Sequence, residues 1–190
     1  LHKEYIEVGA KYITTNTFRT TTRAYKKTGL SNTKAKKNAK KSMQSAIKIA
    51  KKAADNSIKV LGSIAPLEDC YKPNLFPGNK VAHTEFRQLL EWFNNLDIDI
   101  FLIETMNNLE ETEICIKEAL KFNKPIWVSF VIQSHNHILS GESMLDALSL
   151  LHKYDIESML INCNPLNTTE NTLKIISDNW DKRWGIYPNL

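Results

Sequence analysis

The chain has 190 residues, 42% of them hydrophobic, enough for one domain with a core of its own. No apolar run approaches the roughly 20 residues of a membrane-spanning helix, and the charged opening LHKEYIEVGAKY has no apolar signal-peptide segment, so a soluble protein is expected. Three cysteines (Cys70, Cys115 and Cys163), odd in number and without CxxC spacing, argue against a secreted disulfide framework and for a reducing cytoplasm.

The chain does not begin with methionine and reads as a partial sequence. Its helical start leads into KYITTNTF (11–18), a strand by its β-branched and aromatic content. Residues 33–54 have helical apolar spacing through Ala35, Ala39, Met43, Ala46, Ala50 and Ala54. They lie in a basic block: residues 8–54 hold 13 of the 25 Lys and Arg and no acid, while the rest of the chain holds 12 basic against 21 acidic residues. Such a block admits nucleic acid or another anionic partner. However, only Tyr25 lies between Arg19 and Ala54 to stack on bases, and a solvated helix face accounts for the lysines. Neither nucleic acid nor membrane is the expected partner.

IKVLGSIAP (58–66) is the next strand. A Pro- and Gly-containing loop leads to a helix over 82–95 with Phe86, Leu89, Leu90 and Phe93 inward. IDIFLIETM (98–106) is a strand, and 109–122 a helix with Leu109, Ile116 and Leu120 inward. KPIWVSFVI (124–132) is a strand, 142–153 a helix, ESMLINCNP a strand and 168–179 a helix. RWGIYPNL starts a sixth strand. This is βα alternation, and nearly continuous apolar strands indicate a parallel sheet covered on both faces. The expected fold is a single-domain α/β (β/α)8 TIM barrel over 1–190. It is incomplete, with six of eight strands; the first strand and the C-terminal units lie outside the sequence. An open doubly wound sheet is the competing architecture, although no GxGxxG or GxxxxGK[ST] follows any strand.

In parallel α/β folds, chemistry gathers at the carboxyl ends of the strands. Here these ends carry Thr15, Asn16, Thr17 and Phe18; Gly62 and Ser63; Glu104 and Thr105; Ser129; Asn162, Cys163 and Asn164; and Tyr187, Pro188 and Asn189. Glu104 directly follows the apolar IFLI, at the boundary of core and mouth, where a carboxylate requires a partner. That partner is either a cationic substrate group or a lysine or arginine in a structural ion pair. Cys163 reads either as a small buried hydrophobe or as a nucleophile or soft-metal ligand. None of the five histidines falls at a strand end. His135 and His137, an HxH pair in the loop after the fourth strand, read as solvated loop residues rather than metal ligands.

The blocks LHKEYIEVGAKYITTNTF, GSIAP, FLIETM, PIWVSF, SGESMLDAL and INCNP, in this order and spacing, resemble the homocysteine S-methyltransferase family. The resemblance covers essentially the whole chain. It implies a (β/α)8 barrel that uses zinc to transfer a methyl group from a small-molecule donor to homocysteine, giving methionine. It implies Cys163 as a zinc ligand, Glu104 as the contact to the homocysteine amino group, and Asn16, Thr17, Phe18 and Asn162 as substrate-pocket residues. The family's other two zinc ligands belong to a downstream Cys–Cys block, and its first strand carries an acidic DGG-type turn. Neither is in this sequence. Cys70, expected in a loop too far away, and Cys115, expected within a helix, do not replace those ligands. The 190 residues alone are therefore expected to bind zinc weakly or not at all and to be inactive. A sulfonium, a quaternary ammonium or a folate–cobalamin system could each be the donor. The alternative function is a non-catalytic barrel remnant, or an anion- or nucleic-acid-binding protein using segment 19–52.

Overall fold

The structure, a computed structural model, describes residues 1–134 and 136–189, and of Asn171 the backbone alone. Six strands form one parallel sheet: β1 (Tyr12–Thr14), β2 (Lys59–Ile64), β3 (Ile100–Met106), β4 (Ile126–Phe130), β7 (Ser158–Pro165) and β8 (Arg183–Asn189). They pair in chain order, β1-β2-β3-β4-β7-β8. A doubly wound sheet reverses its order around a central strand; this one never does. It also curls: the Arg183 guanidinium on β8 donates to the Tyr12 hydroxyl on β1 at 3.1 Å, joining the two edge strands. The architecture is thus an incomplete (β/α)8 barrel.

Helices α1 (His2–Glu7), α2 (Thr22–Lys26), α3 (Asn32–Ala53), α4 (Asn79–Asn94), α5 (Leu109–Ala119), α6 (Met144–His152) and α7 (Leu166–Asn179) connect the strands. The main core lies between sheet and helices, with Met43, Phe86, Phe93, Phe101 and Phe130 fully buried. A smaller cluster of Leu61, Ile100, Leu102, Trp127 and Leu160 packs on the other side of the sheet. Every residue of β3 and β4 is buried, as two-sided coverage requires. Gly62 lets β2 approach α4 closely: a Cβ there would stand 2.6 Å from Ile98 Cδ1 and 2.9 Å from the Phe93 ring.

The basic block forms α3, capped by Ser31, whose hydroxyl accepts from Lys34 N. Ala35, Ala39, Met43, Ile47 and Ala50 face inward, and Lys34, Lys36, Lys37, Lys40, Lys41 and Lys48 are exposed. Ile47 takes the inward place given to Ala46 by spacing alone. Leu120 is 42% exposed rather than inward, because α5 stops at Ala119. The first strand is also shorter than its composition predicts. Thr17 N donates to Thr15 O at 2.8 Å and Thr20 N to Thr17 O at 3.0 Å, so the chain turns right after Thr14. The fourth strand breaks at Val131 into β4 and β5 (Ile132–Ser134), which pairs antiparallel with β6 (His137–Ile138).

Candidate functional site at the mouth of the sheet

All six strands run the same way, so Ser63 of β2, Glu104 of β3, Ser129 of β4, Asn162 and Cys163 of β7 and Tyr187 of β8 reach one end of the sheet. Glu104 is 9% exposed. Its carboxylate accepts from the Ser63 hydroxyl on one oxygen and from the Tyr187 hydroxyl, at 3.0 Å, on the other. Among the described residues it forms no ion pair. Burial pushes the Glu104 carboxyl above its ordinary range, and the two hydroxyls only partly offset this. The Tyr187 side chain is more than a third exposed, but its hydroxyl end is desolvated beside Glu104; that desolvation and the Glu104 charge drive the phenol well up, so it stays a neutral donor.

Two residues beside these groups adopt a backbone conformation that L side chains rarely take. Thr105 has φ +59° and Cys163 φ +56°; among the described residues they are the non-glycine residues with positive φ. Each coincides with a break in pairing: the β3–β4 register shifts between Ile103 and Met106, and the β7–β8 register between Asn162 and Pro165. Bulges of this kind re-aim side chains at barrel rims, and the strained backbone must be held by its surroundings.

The asparagines around Cys163 divide that work. Asn164 grips the backbone of Ile132: its Oδ1 accepts from Ile132 N at 3.0 Å and its Nδ2 donates to Ile132 O at 2.6 Å. Asn162, 1% exposed, turns its amide inward. Its Oδ1 accepts from Ser129 Oγ at 2.6 Å, and its Nδ2 donates to Thr105 Oγ1 at 2.8 Å and to Cys163 Sγ at 3.1 Å. The thiol between the two asparagines remains partly exposed.

The loop after β1 supports the site from below. Thr17, 2% exposed, donates through Oγ1 to Ser63 O at 2.9 Å, and Thr15 Oγ1 accepts from Ser63 N at 3.2 Å. These bonds fix the strand end that carries the Ser63–Glu104 contact. Phe18 lies beneath the Arg19 guanidinium, 4.9 Å from the ring centroid, and Arg19 donates to Pro66 O at 2.9 Å. Asn16 is exposed and lines a groove shared with α1, α2 and α3.

The loop after β2 lies nearer the mouth than its sequence position indicates. The Asn107 amide donates to Cys70 O at 3.0 Å and clasps that loop to the end of β3. Cys70 and Tyr71 thereby come within electrostatic range of Cys163, and burial, aided by that neighbour, raises both of their pKa values. Cys70 nonetheless belongs to no group of three ligand-type side chains among the described residues. Cys115 is fully buried on α5, as expected. His137 interacts with Asn136 Oδ1 at 2.8 Å, while His135, the other half of the HxH pair, lies outside the described residues.

The Ser129 hydroxyl also hydrogen-bonds the Tyr187 phenol, and so links Glu104 to Asn162 and Cys163, with Thr17 behind this network and Asn16 apart from it. Ser129, Thr105 and Tyr187 complete the network. Sequence had placed them at strand ends without giving them a role. As for a metal, the Cys163 thiol faces the mouth and accepts an N–H···S bond, which suits one soft-metal ligand. Among the described residues no three His, Cys, Asp or Glu side chains converge to hold an ion.

The model of the homocysteine S-methyltransferase family matches residues 1–190. Homocysteine S-methyltransferase 2 of Zea mays and homocysteine S-methyltransferase 1 of Arabidopsis thaliana are each 31% identical over 94 residues, or 48% of this chain. The matched stretch spans 28% of the maize protein and 29% of the Arabidopsis protein. The homocysteine methyltransferase MmuM from Escherichia coli, in its metallated form, superposes with a TM-score of 0.89 at 22% identity over 99% of this chain and 70% of that one. Its apo form gives 0.82 at 20% identity, covering 100% of this chain and 70% of that one.

Proposed function

The chain belongs to the homocysteine S-methyltransferase family, and from that premise we propose that the protein carrying it transfers a methyl group from a small-molecule donor to the sulfur of homocysteine, giving methionine. The observation that carries this reading is Glu104. It is a buried carboxylate at the barrel mouth, held by two hydroxyls and by no cation among the described residues, and it is linked through Tyr187, Ser129 and Asn162 to the Cys163 thiol. An amino acid with a thiol at the end of its side chain has the two complementary groups: an ammonium for the acid and a sulfur for the region of Cys163.

Each residue then has a task. Glu104 accepts the substrate ammonium, which replaces the missing counter-charge and fixes the direction in which the side chain points. Ser63 and Tyr187 hold both carboxylate oxygens in place before substrate arrives. Thr17 steadies Ser63 from the loop after β1, and Phe18 forms part of the pocket wall. Cys163 is one ligand of a zinc ion whose remaining ligands come from outside residues 1–190. Bound zinc would favour the thiolate form of homocysteine, whose thiol has a reference pKa of about 8.5. The three free cysteines suit a reducing compartment such as the cytoplasm.

The test is methionine formation by the complete protein from homocysteine and each of three donors: a methylsulfonium, a quaternary ammonium and a methylfolate–cobalamin system. Methionine appears with one of them. Its absence with all three, from a folded and zinc-loaded protein, rejects the reading.

A further inference from the structure

Resting on that reading, we infer that Asn162 is a positioning residue rather than a substrate contact: its carboxamide locks the Cys163 sulfur and the Thr105 backbone into one arrangement.

The carboxamide has little left to offer a substrate. It is 1% exposed, its oxygen accepts from Ser129, and its NH2 group donates to Thr105 and to Cys163. These partners sit on three different strands. The bond to Thr105 crosses from β7 over β4 to β3, two strands away in the sheet. It therefore fixes the relative position of elements that share no ladder.

The two residues to which it donates are Thr105, at φ +59°, and Cys163, at φ +56°. A left-handed, non-glycine residue is strained and persists only where its surroundings over-determine it. One amide reaching both side chains supplies that constraint. Thr105 is covalently next to Glu104, so the same amide sets the spacing between the substrate-anchoring carboxylate and the thiol. The N–H···S bond fixes the Sγ rotamer. Removing partners that orient a metal ligand typically costs about 10- to 100-fold in metal affinity or activity.

The experiment uses the complete, zinc-loaded protein and compares wild type, Asn162→Ala, Thr105→Val and the double variant. Zinc retention is read by competition with a chelator, and steady-state kinetics are run with homocysteine varied. Asn162→Ala should weaken zinc retention about 10- to 100-fold and lower kcat, with KM for homocysteine changed less than about threefold. Thr105→Val should move zinc retention in the same direction by a smaller factor. In the double variant it should add less than about twofold, because both changes break one linkage. A tenfold rise in KM with zinc retention unchanged would make Asn162 a substrate contact and overturn the inference. Additive effects of the two substitutions would overturn it as well. If Asn162→Ala does not fold, Thr105→Val decides alone: unchanged zinc retention in that variant is fatal. A wild-type protein that neither holds zinc nor methylates homocysteine would instead bring down the functional reading, and this inference with it.

Discussion

Glu104 is the residue at which stability and function are opposed. Its folded-state pKa is raised by burial. The protonated form is thus the one folding favours, and that stability is lost as pH rises through the folded value. At neutral pH the carboxylate is a cost that a substrate ammonium would relieve. Glu104→Gln, which keeps the shape, should therefore raise the melting temperature at pH 7 and leave it little changed near pH 4. In the complete protein the same variant should keep its zinc. Its kcat/KM for homocysteine should fall by about 2 kcal/mol, roughly 30-fold, for a lost charge-assisted hydrogen bond. In wild type, kcat/KM should decline as pH falls through the raised Glu104 pKa, and this limb should be absent from Glu104→Gln. A lower melting temperature at pH 7 together with unchanged kinetics would remove Glu104 from the site. The residue was legible in the sequence because an acid directly after IFLI interrupts an apolar strand at its carboxyl end. Its partners were not, since Ser63 lies 41 residues away and Tyr187 lies 83 away. Nor do Thr105 and Cys163 carry any local signal of a positive φ. The pocket role of Asn162 came from the family resemblance alone, since a strand-end amide looks the same in sequence whether it faces substrate or its own scaffold.

Between elements, one buried acid ties α5 to α4. Glu118 of α5 is 1% exposed and accepts from His83 and Arg87 of α4 and from Lys121. These partners hold its pKa down to about 2 against its own desolvation. Its contribution to stability is present above the unfolded value near 4.5 and is lost as pH falls toward 2. Arg87 and Lys121 are 54% and 49% exposed and screened by water, so Glu118→Gln should cost about 1–2 kcal/mol at pH 7 rather than the full Coulombic value. Denaturant unfolding should show the wild-type advantage shrinking below pH 4.5; an advantage that persists unchanged at pH 2.5 would rule the cluster out as its source. The helices themselves were legible, because Phe86, Leu89, Leu90 and Phe93 repeat at helical spacing. The short β1 and the break at Val131 were not: β-branched content continues through Thr15–Thr17 while backbone hydrogen bonds turn the chain.

For the molecule as a whole, six parallel strands in chain order leave two edges, β1 and β8, with Trp184, Ile186 and Tyr187 of β8 each more than a third exposed. Between the edges lies a cavity of about 560 Å³ lined by Tyr12, Leu61, Leu102, Trp127 and Leu160, and the buried indole N–H of Trp127 has no hydrogen-bond partner among the described residues. Unpaired edges flanking an apolar cavity invite association. Residues 1–190 expressed alone should sediment as a concentration-dependent mixture and bind a hydrophobic dye. A single monomeric species that binds no dye would mean that the open edges are self-sufficient. The strand order was readable from βα alternation, whereas the curl depends on contacts such as Tyr12–Arg183, 171 residues apart. The central claim concerns Cys163, and the most direct measurement compares wild type and Cys163→Ala in the complete protein for zinc per chain and for methionine formed from homocysteine. Wild type should carry about one zinc and form methionine, and Cys163→Ala should lose both while remaining folded. A Cys163→Ala protein that holds stoichiometric zinc and methylates homocysteine would contradict the assignment of this strand-end thiol.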